Sequence, residues 1–224
     1  MKNMKKSVGV ILSIFLIICL GYIFFEPTIS KAIGDTAEVS QEVTEEITID
    51  APLDTSLTPS IPGVTGNPGS PSTASLTWNV ITSNATGFNM KIKASQANAL
   101  FLDGTYFFSD YSPQTTNVPD YSWTSPGTAT AEFGFTVEPA TDGDVVQTFL
   151  DNASNACNIE SGSQTAGKCW LNFNGATDIN IINRSIRTTQ TGEDETVKFR
   201  ADSKTKFLKE GNYKATITTT ISSN

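Results

Sequence analysis

Apolar residues recur at every second position in a series of short stretches. Leu76, Trp78 and Val80 alternate with Thr77 and Asn79, and Phe88, Met90, Ile92 and Ala94 alternate with Asn89, Lys91 and Lys93. Ala131, Phe133, Phe135 and Val137 form a third set, Ile179 and Ile181 begin a fourth, Val197, Phe199 and Ala201 form a fifth, and Tyr213, Ala215, Ile217 and Thr219 form the last. Successive side chains of a strand point to opposite faces, so each stretch predicts one buried and one wet face. Between the first two, Asn84-Ala85-Thr86-Gly87 predicts a turn, and hence a hairpin. The stretch from Val43 to Ile49 has the β-branched density of a strand. Pro59, Pro62, Gly63, Gly66, Pro68, Gly69 and Pro71 mark a long loop within the same domain. Only Asp144 to Leu150 reads as helical, for one or two turns. Short antiparallel strands with one polar face predict an all-β fold, a single antiparallel β-sandwich that is Ig-like or jelly-roll-like, over residues 41–224. Its predicted core is Trp78, Val80, Phe88, Met90, Ile92, Phe133, Phe135, Ile179, Val197, Phe199, Tyr213, Ala215 and Ile217.

A different pattern occupies the N-terminus. Lys2, Lys5 and Lys6 precede an uncharged apolar run of 18 residues, Val8 to Phe25, followed by Glu26-Pro27 and Ser30-Lys31-Ala32. A basic segment, an apolar helix and a small-x-small site make an export signal. The run would span about 27 Å as a helix, close to a hydrocarbon core. Residues 1–32 therefore read as a signal peptide cleaved after Ala32, or as a membrane anchor with its lysines inside. Either way the chain beyond is expected outside the cytoplasm, extracellular or at the cell surface, with membrane contact only through residues 8–25 if uncleaved. Ile18 before Cys19 is too bulky for a lipidation site. Residues 33–40 read as an acidic tether; from Asp35 to Asp54 no basic residue occurs.

Composition narrows the function. The formal charge is −8, and residues 1–32 hold four lysines and one glutamate, so the remainder carries −11. Such a chain repels phosphate backbones, and no nucleic-acid partner is expected. Histidine is absent, which removes Ser-His-Asp and Cys-His catalysis and most zinc sites. Beyond residue 32 only Cys157 and Cys169 remain, and in an oxidising compartment they predict one disulfide.

The densest aromatic region holds Tyr106, Phe107, Phe108, Tyr111, Tyr121 and Trp123, 6 of 21 aromatics within 18 residues. Exposed loop aromatics stack on sugars or partner proteins, whereas buried ones cap a core. Tyr111, Tyr121 and Trp123 are the candidate ligand contacts. Asp142-Gly143-Asp144, with Asp151 nearby, is a weak Ca²⁺ candidate, because Ca²⁺ takes about 6–8 oxygens and an Asp-Gly turn explains the pattern more simply. No metal or cofactor is expected. Asn84, Asn152 and Asn183 match the glycosylation acceptor pattern, for which Asn84 has the simpler role of a turn residue. Lys91 and Lys93 fall on a polar face, unsuited to a buried Lys–Asn crosslink. No carboxylate pair stands in an apolar context fit for glycoside hydrolysis.

Three stretches carry a remote resemblance: Trp78-Asn79-Val80-Ile81-Thr82-Ser83-Asn84-Ala85-Thr86-Gly87-Phe88; Glu132-Phe133-Gly134-Phe135 with Cys157 and Cys169-Trp170; and Gly211-Asn212-Tyr213-Lys214-Ala215-Thr216-Ile217. Together, over roughly residues 78–221, they resemble secreted surface β-sandwich proteins of bacteria, the loose group of fimbrial and adhesin-like modules. The resemblance implies a surface-displayed structural or binding module and carries over no functional residue. The expectation is a non-enzymatic exported protein contacting a cell-surface protein or glycan, or assembling with itself. The alternative is a secreted carbohydrate-binding module or carbohydrate-active enzyme.

Overall fold

The computed structural model describes residues 13–21, 37–138 and 142–224, with the side chain of Asp142 left out. The chain divides into two units, residues 1–43 and 44–224. In the first, residues 13–21 are helical and residues 37–43 are exposed and without regular structure. The lysines, the ends of the apolar run and the Ser30-Lys31-Ala32 signal lie outside the described residues. No helix among the described residues is long and apolar enough to cross a membrane.

The second unit contains eight strands: β1 (Ile47–Asp50), β2 (Ser72–Thr82), β3 (Phe88–Ala94), β4 (Ser109–Asp110), β5 (Thr130–Val137), β6 (Ile179–Arg184), β7 (Glu193–Lys204) and β8 (Ile217–Ser223). They form a five-stranded sheet in the order β1-β2-β7-β5-β4 and a three-stranded sheet in the order β6-β3-β8. All pairings are antiparallel except β4 with β5. The two sheets pack their apolar faces together as an all-β sandwich. Phe88, Met90, Ile92 and Ala94 of β3 are fully buried and share one core with Trp78, Val80, Phe133, Phe135, Val197 and Phe199 of the larger sheet. Phe173, from a loop, stacks on Phe135 at 4.5 Å and on Phe133 at 6.0 Å.

Three expectations are corrected. The two strands flanking Asn84–Gly87 are not a hairpin. β2 pairs with β1 and β7, and β3 pairs with β6 and β8, so the turn is an arch that carries the chain from one sheet to the other. The two alternating faces confront each other across the core. Asn84 holds the arch by donating from its side-chain amide to Gly87 O (3.0 Å). Gly87 has φ +79°, and a Cβ there would stand 2.1 Å from Arg184 O. The expected helix from Asp144 to Leu150 is instead two single 3-10 turns, Asp142–Asp144 and Gln147–Phe149. Val145 bridges to Ile182 and the Val146 N–H donates to Ile181 O, which holds the chain between the turns against β6. Ile179, Tyr213, Ala215 and Ile217, expected in the core, are only partly buried.

The long Pro/Gly loop is stitched to β7. Asn67 N–H donates to Ser203 O (2.9 Å), and Ser203 N–H donates to Asn67 Oδ1 (2.7 Å). The loop thereby docks on the last residues of β7, beyond the start of β2.

Candidate functional site

The outer face of the larger sheet carries an aromatic ledge. β5 turns Phe133, Phe135 and Val137 into the core, which leaves Glu132, Gly134 and Thr136 facing outward. Gly134 makes the room: a Cβ there would lie 2.7 Å from Leu171 O, 2.8 Å from Tyr111 Cβ and 3.2 Å from Trp123 Cζ3. Into that space Tyr111 and Trp123 stack with centroids 4.1 Å apart, and Trp170 meets Trp123 edge-on at 5.4 Å. Arg200, the register partner of Gly134 on β7, lays its guanidinium 4.8 Å over Trp123 and 5.9 Å over Trp170. Asp202 holds Arg200 there through a 2.6 Å ion pair.

Polar contacts lock the ledge. The Tyr111 hydroxyl donates to Asp120 (2.6 Å) and accepts from the Thr124 N–H (3.0 Å). Burial, then Asp120, pushes that hydroxyl up to about 12. The backbones of Asp120 and Trp170 exchange two hydrogen bonds (3.0 and 2.8 Å), and the Trp170 indole N–H donates to Gly167 O (2.9 Å). The Trp123 indole nitrogen is buried without a partner.

The three aromatic candidates thus separate. Tyr111 is 2% exposed with its hydroxyl engaged twice, and it supports the ledge from beneath. Tyr121 and Trp123 remain half-buried, with the Lys168 ammonium 4.5 Å over Tyr121. The accessible surface is therefore the uncovered parts of these two rings, beside Lys168 and Arg200. Sequence reading missed Lys168 and Arg200 as members of this group. The only local signal at Arg200 is its place between Phe199 and Ala201, on the polar face of its strand, and Trp170 is marked only as the neighbour of Cys169.

A shallow groove of about 360 Å³ lies elsewhere, lined by Asn117, Thr148, Asn172, Asn174, Asp178 and Asn180 among others. Its amides and hydroxyls offer both donors and acceptors.

Asp144 of the weak Ca²⁺ candidate stands in an ion pair. Asp144 is paired with Arg184, which also reaches Glu193 at 3.1 Å. Arg184 is 7% and Asp144 8% exposed. Glu195 lies beside this clamp, 2% exposed, with one carboxylate oxygen lacking a partner. Burial, then Asp144, raises its carboxyl to about 8, so it is mostly protonated at neutral pH. The Asp144 carboxylate is thus already engaged by a guanidinium. Among the described residues no three carboxylate or thiolate groups are arranged to hold a metal. Asp151, 1% exposed, accepts from the N–H groups of Ala153 and Thr165 and from the Thr165 hydroxyl.

Cys157 and Cys169 form the expected disulfide, with Cα atoms 5.7 Å apart. It ties the segment carrying Lys168 and Trp170 to the loop organised by Asp151. Lys91 is exposed, and Lys93 pairs with Asp178 at 3.2 Å on the outer face of the smaller sheet. No family model, curated protein or solved structure matches this chain.

Proposed function

We propose that this is an exported, non-enzymatic surface protein that displays an Ig-like or jelly-roll-like sandwich for structural or adhesive contacts, as in fimbrial and adhesin-like modules. Residues 1–32 direct export, as a cleaved signal or an anchor, and residues 33–40 are the acidic tether. The supporting observation is the ledge. Trp123 is fixed against the sheet by Gly134, Tyr111 and Trp170 with Arg200 over it, and Tyr121 lies beneath Lys168. Aromatic rings beside cations give large contact area at little entropic cost, which suits a protein or glycan surface.

The test uses the full chain carrying a C-terminal epitope. Protease added to intact producing cells should remove the epitope, whereas a protected epitope would refute surface display. Trp123→Ala should reduce cell-surface or matrix attachment at least 10-fold without loss of the folded domain. The second reading, a secreted carbohydrate-binding module, draws on the groove lined by Asn117, Asn172, Asn174 and Asn180, whose amides suit sugar hydroxyls. Saturable binding of a glycan, lost on Asn174→Ala and not on Trp123→Ala, would favour it.

A further inference from the structure

One side of the sandwich is open. β8 is the last strand of the smaller sheet and pairs only with β3; among the described residues no backbone hydrogen bond reaches its other edge. Its inward residues Ile217, Thr219, Ile221 and Ser223 are only half-buried, whereas those of β3 are fully buried. Across the opening, β1 covers β2 only from Asn79 to Thr82. Further along β2 the inward residue Leu76 is half-buried too. An unpaired edge beside a half-covered apolar face is a site for strand addition.

The chain holds a segment of matching pattern. Residues 37–44 are exposed, and Ala37, Val39, Gln41 and Val43 alternate with Glu38, Ser40, Glu42 and Thr44. Val39 is 96% and Val43 85% exposed. The valines are four residues apart, as are Ile217 and Ile221. In an antiparallel register, Val39 would stand opposite Ile221, Gln41 opposite Thr219 and Val43 opposite Ile217. Glu38 and Glu42 would then share the outer face with Lys91 and Lys93, which sit two strands over, about 10 Å away and within reach of a Debye length.

Strand direction shows which copy can donate. Ile47 pairs with Thr82 and Ser223 pairs with Phe88, so the start of β1 and the end of β8 both lie at the arch. Residues 37–44 are therefore attached at the arch end. To run antiparallel to β8 a segment must finish at the opposite end, and this one cannot do so in its own domain. A parallel arrangement would need the chain to reverse just before β1. There Glu46 is held by two hydrogen bonds with Ser83, N–H to Oγ (2.9 Å) and Ser83 N–H to O (3.0 Å).

We infer that residues 37–44 of one copy add as an antiparallel strand to the β8 edge of a second copy, with Val39 and Val43 beside Ile221 and Ile217. The contact is head-to-tail: each copy offers one donor segment and one β8 edge, so it links successive copies in series. It rests on the reading of the protein as a self-contacting surface module.

The test uses the full chain with Cys19→Ser, expressed on its producing cells. Val39→Cys combined with Ile221→Cys should give a disulfide-linked ladder on a non-reducing gel, while Val39→Cys combined with Asn183→Cys on β6 should not. Val39→Lys with Val43→Lys, both at exposed positions, should cut assembly at least 10-fold, and a synthetic peptide of residues 35–46 should compete. Absence of the ladder, an equal ladder from the β6 control, or undiminished assembly of the double-lysine variant would overturn the inference. None of these outcomes alters the protease-shaving result, so strand addition and surface display fail separately.

Discussion

Glu195 occupies an inward position on β7 where the alternation calls for an apolar residue, directly opposite Trp78. Nothing in the local sequence Glu193-Asp194-Glu195 marks the third acid as the buried one, because all three look like a solvated run. The nearby cation, Arg184, comes from β6 and is engaged by Asp144 and Glu193. The carboxyl titrates at about 8 in the fold against an ordinary 4.5. Between those values the folded protein holds a proton that the unfolded chain has lost. Glu195 therefore lowers stability progressively as pH rises from about 4.5 to about 8, and its contribution is constant above that. Glu195→Gln keeps the shape without the ionisation. We expect the variant to match the parent near pH 4.5 and to be more stable at pH 8.5 by on the order of 1–3 kcal/mol, since a tenfold change in proton affinity is worth about 1.4 kcal/mol and solvent relaxation offsets part of the total. Urea denaturation across that pH range measures the difference. A gap that does not change with pH would contradict this account of the site. The ledge gives the same lesson: Tyr111, Tyr121 and Trp123 were legible as a cluster, but the contacts separating support from surface come from Gly134 on the next strand and from Trp170 and Arg200, far along the chain.

At the scale of elements, strand existence was legible and strand partnership was not. Two-residue alternation located β2, β3, β5, β6, β7 and β8, because one wet and one dry face impose it directly. The same alternation is silent about which edge meets which, since pairing depends on the whole sheet. Asn84–Gly87 satisfies turn chemistry equally in a hairpin and in an arch, and only β7, more than a hundred residues on, takes β2 from β3. Gly87→Ala is the local test. Its φ of +79° and a Cβ 2.1 Å from Arg184 O leave no room for a side chain. The variant should lose about 2 kcal/mol or more in chemical denaturation, with a left-handed penalty of about 1–2 kcal/mol and the clash in addition. A neutral result would mean that the arch is not held as described. The disulfide is a second element-scale device. Its cysteines are 12 residues apart, and closing a loop of that size in the unfolded chain is worth about 3 kcal/mol. Cys157→Ser with Cys169→Ser should therefore lower stability by about that amount. The variant should still fold, because Asp151 holds the same loop through Ala153 and Thr165. Loss of all folded signal would show that the hydrogen bonds alone cannot hold it.

Across the whole second unit, burial grades from the middle of the smaller sheet to its open edge. The four inward residues of β3 are fully excluded from solvent, β6 on one side is backed by Val145 and Val146, and β8 on the other has no strand beyond it among the described residues, only a Ser223 hydroxyl bond to Glu45 (2.8 Å) at the arch end. The terminal set Tyr213, Ala215, Ile217 and Thr219 has the same alternation as the fully buried strands, so its half-exposure was illegible in the sequence: a pattern records which face is apolar and not whether that face is covered. Local opening costs less where fewer apolar contacts must be broken, so amide protection should follow the same gradient. In hydrogen exchange followed by mass spectrometry, peptides from β3 and β7 should exchange last, near the global unfolding limit. Peptides from β1 and β8 should exchange early, by at least 10-fold in rate, and residues 37–44 fastest of all. The measurement is made at two protein concentrations. At the lower one the gradient should be as stated; at the higher one, residues 37–44 and β8 should gain protection together while β1 and β6 stay unchanged. Joint slowing of these two segments is what a shared ladder of hydrogen bonds requires, because neither edge can be protected by that ladder without the other. Protection that rises over β8 alone would place some other surface against it, and uniform exchange across β3 and β8 would mean that the open side is no weaker than the core.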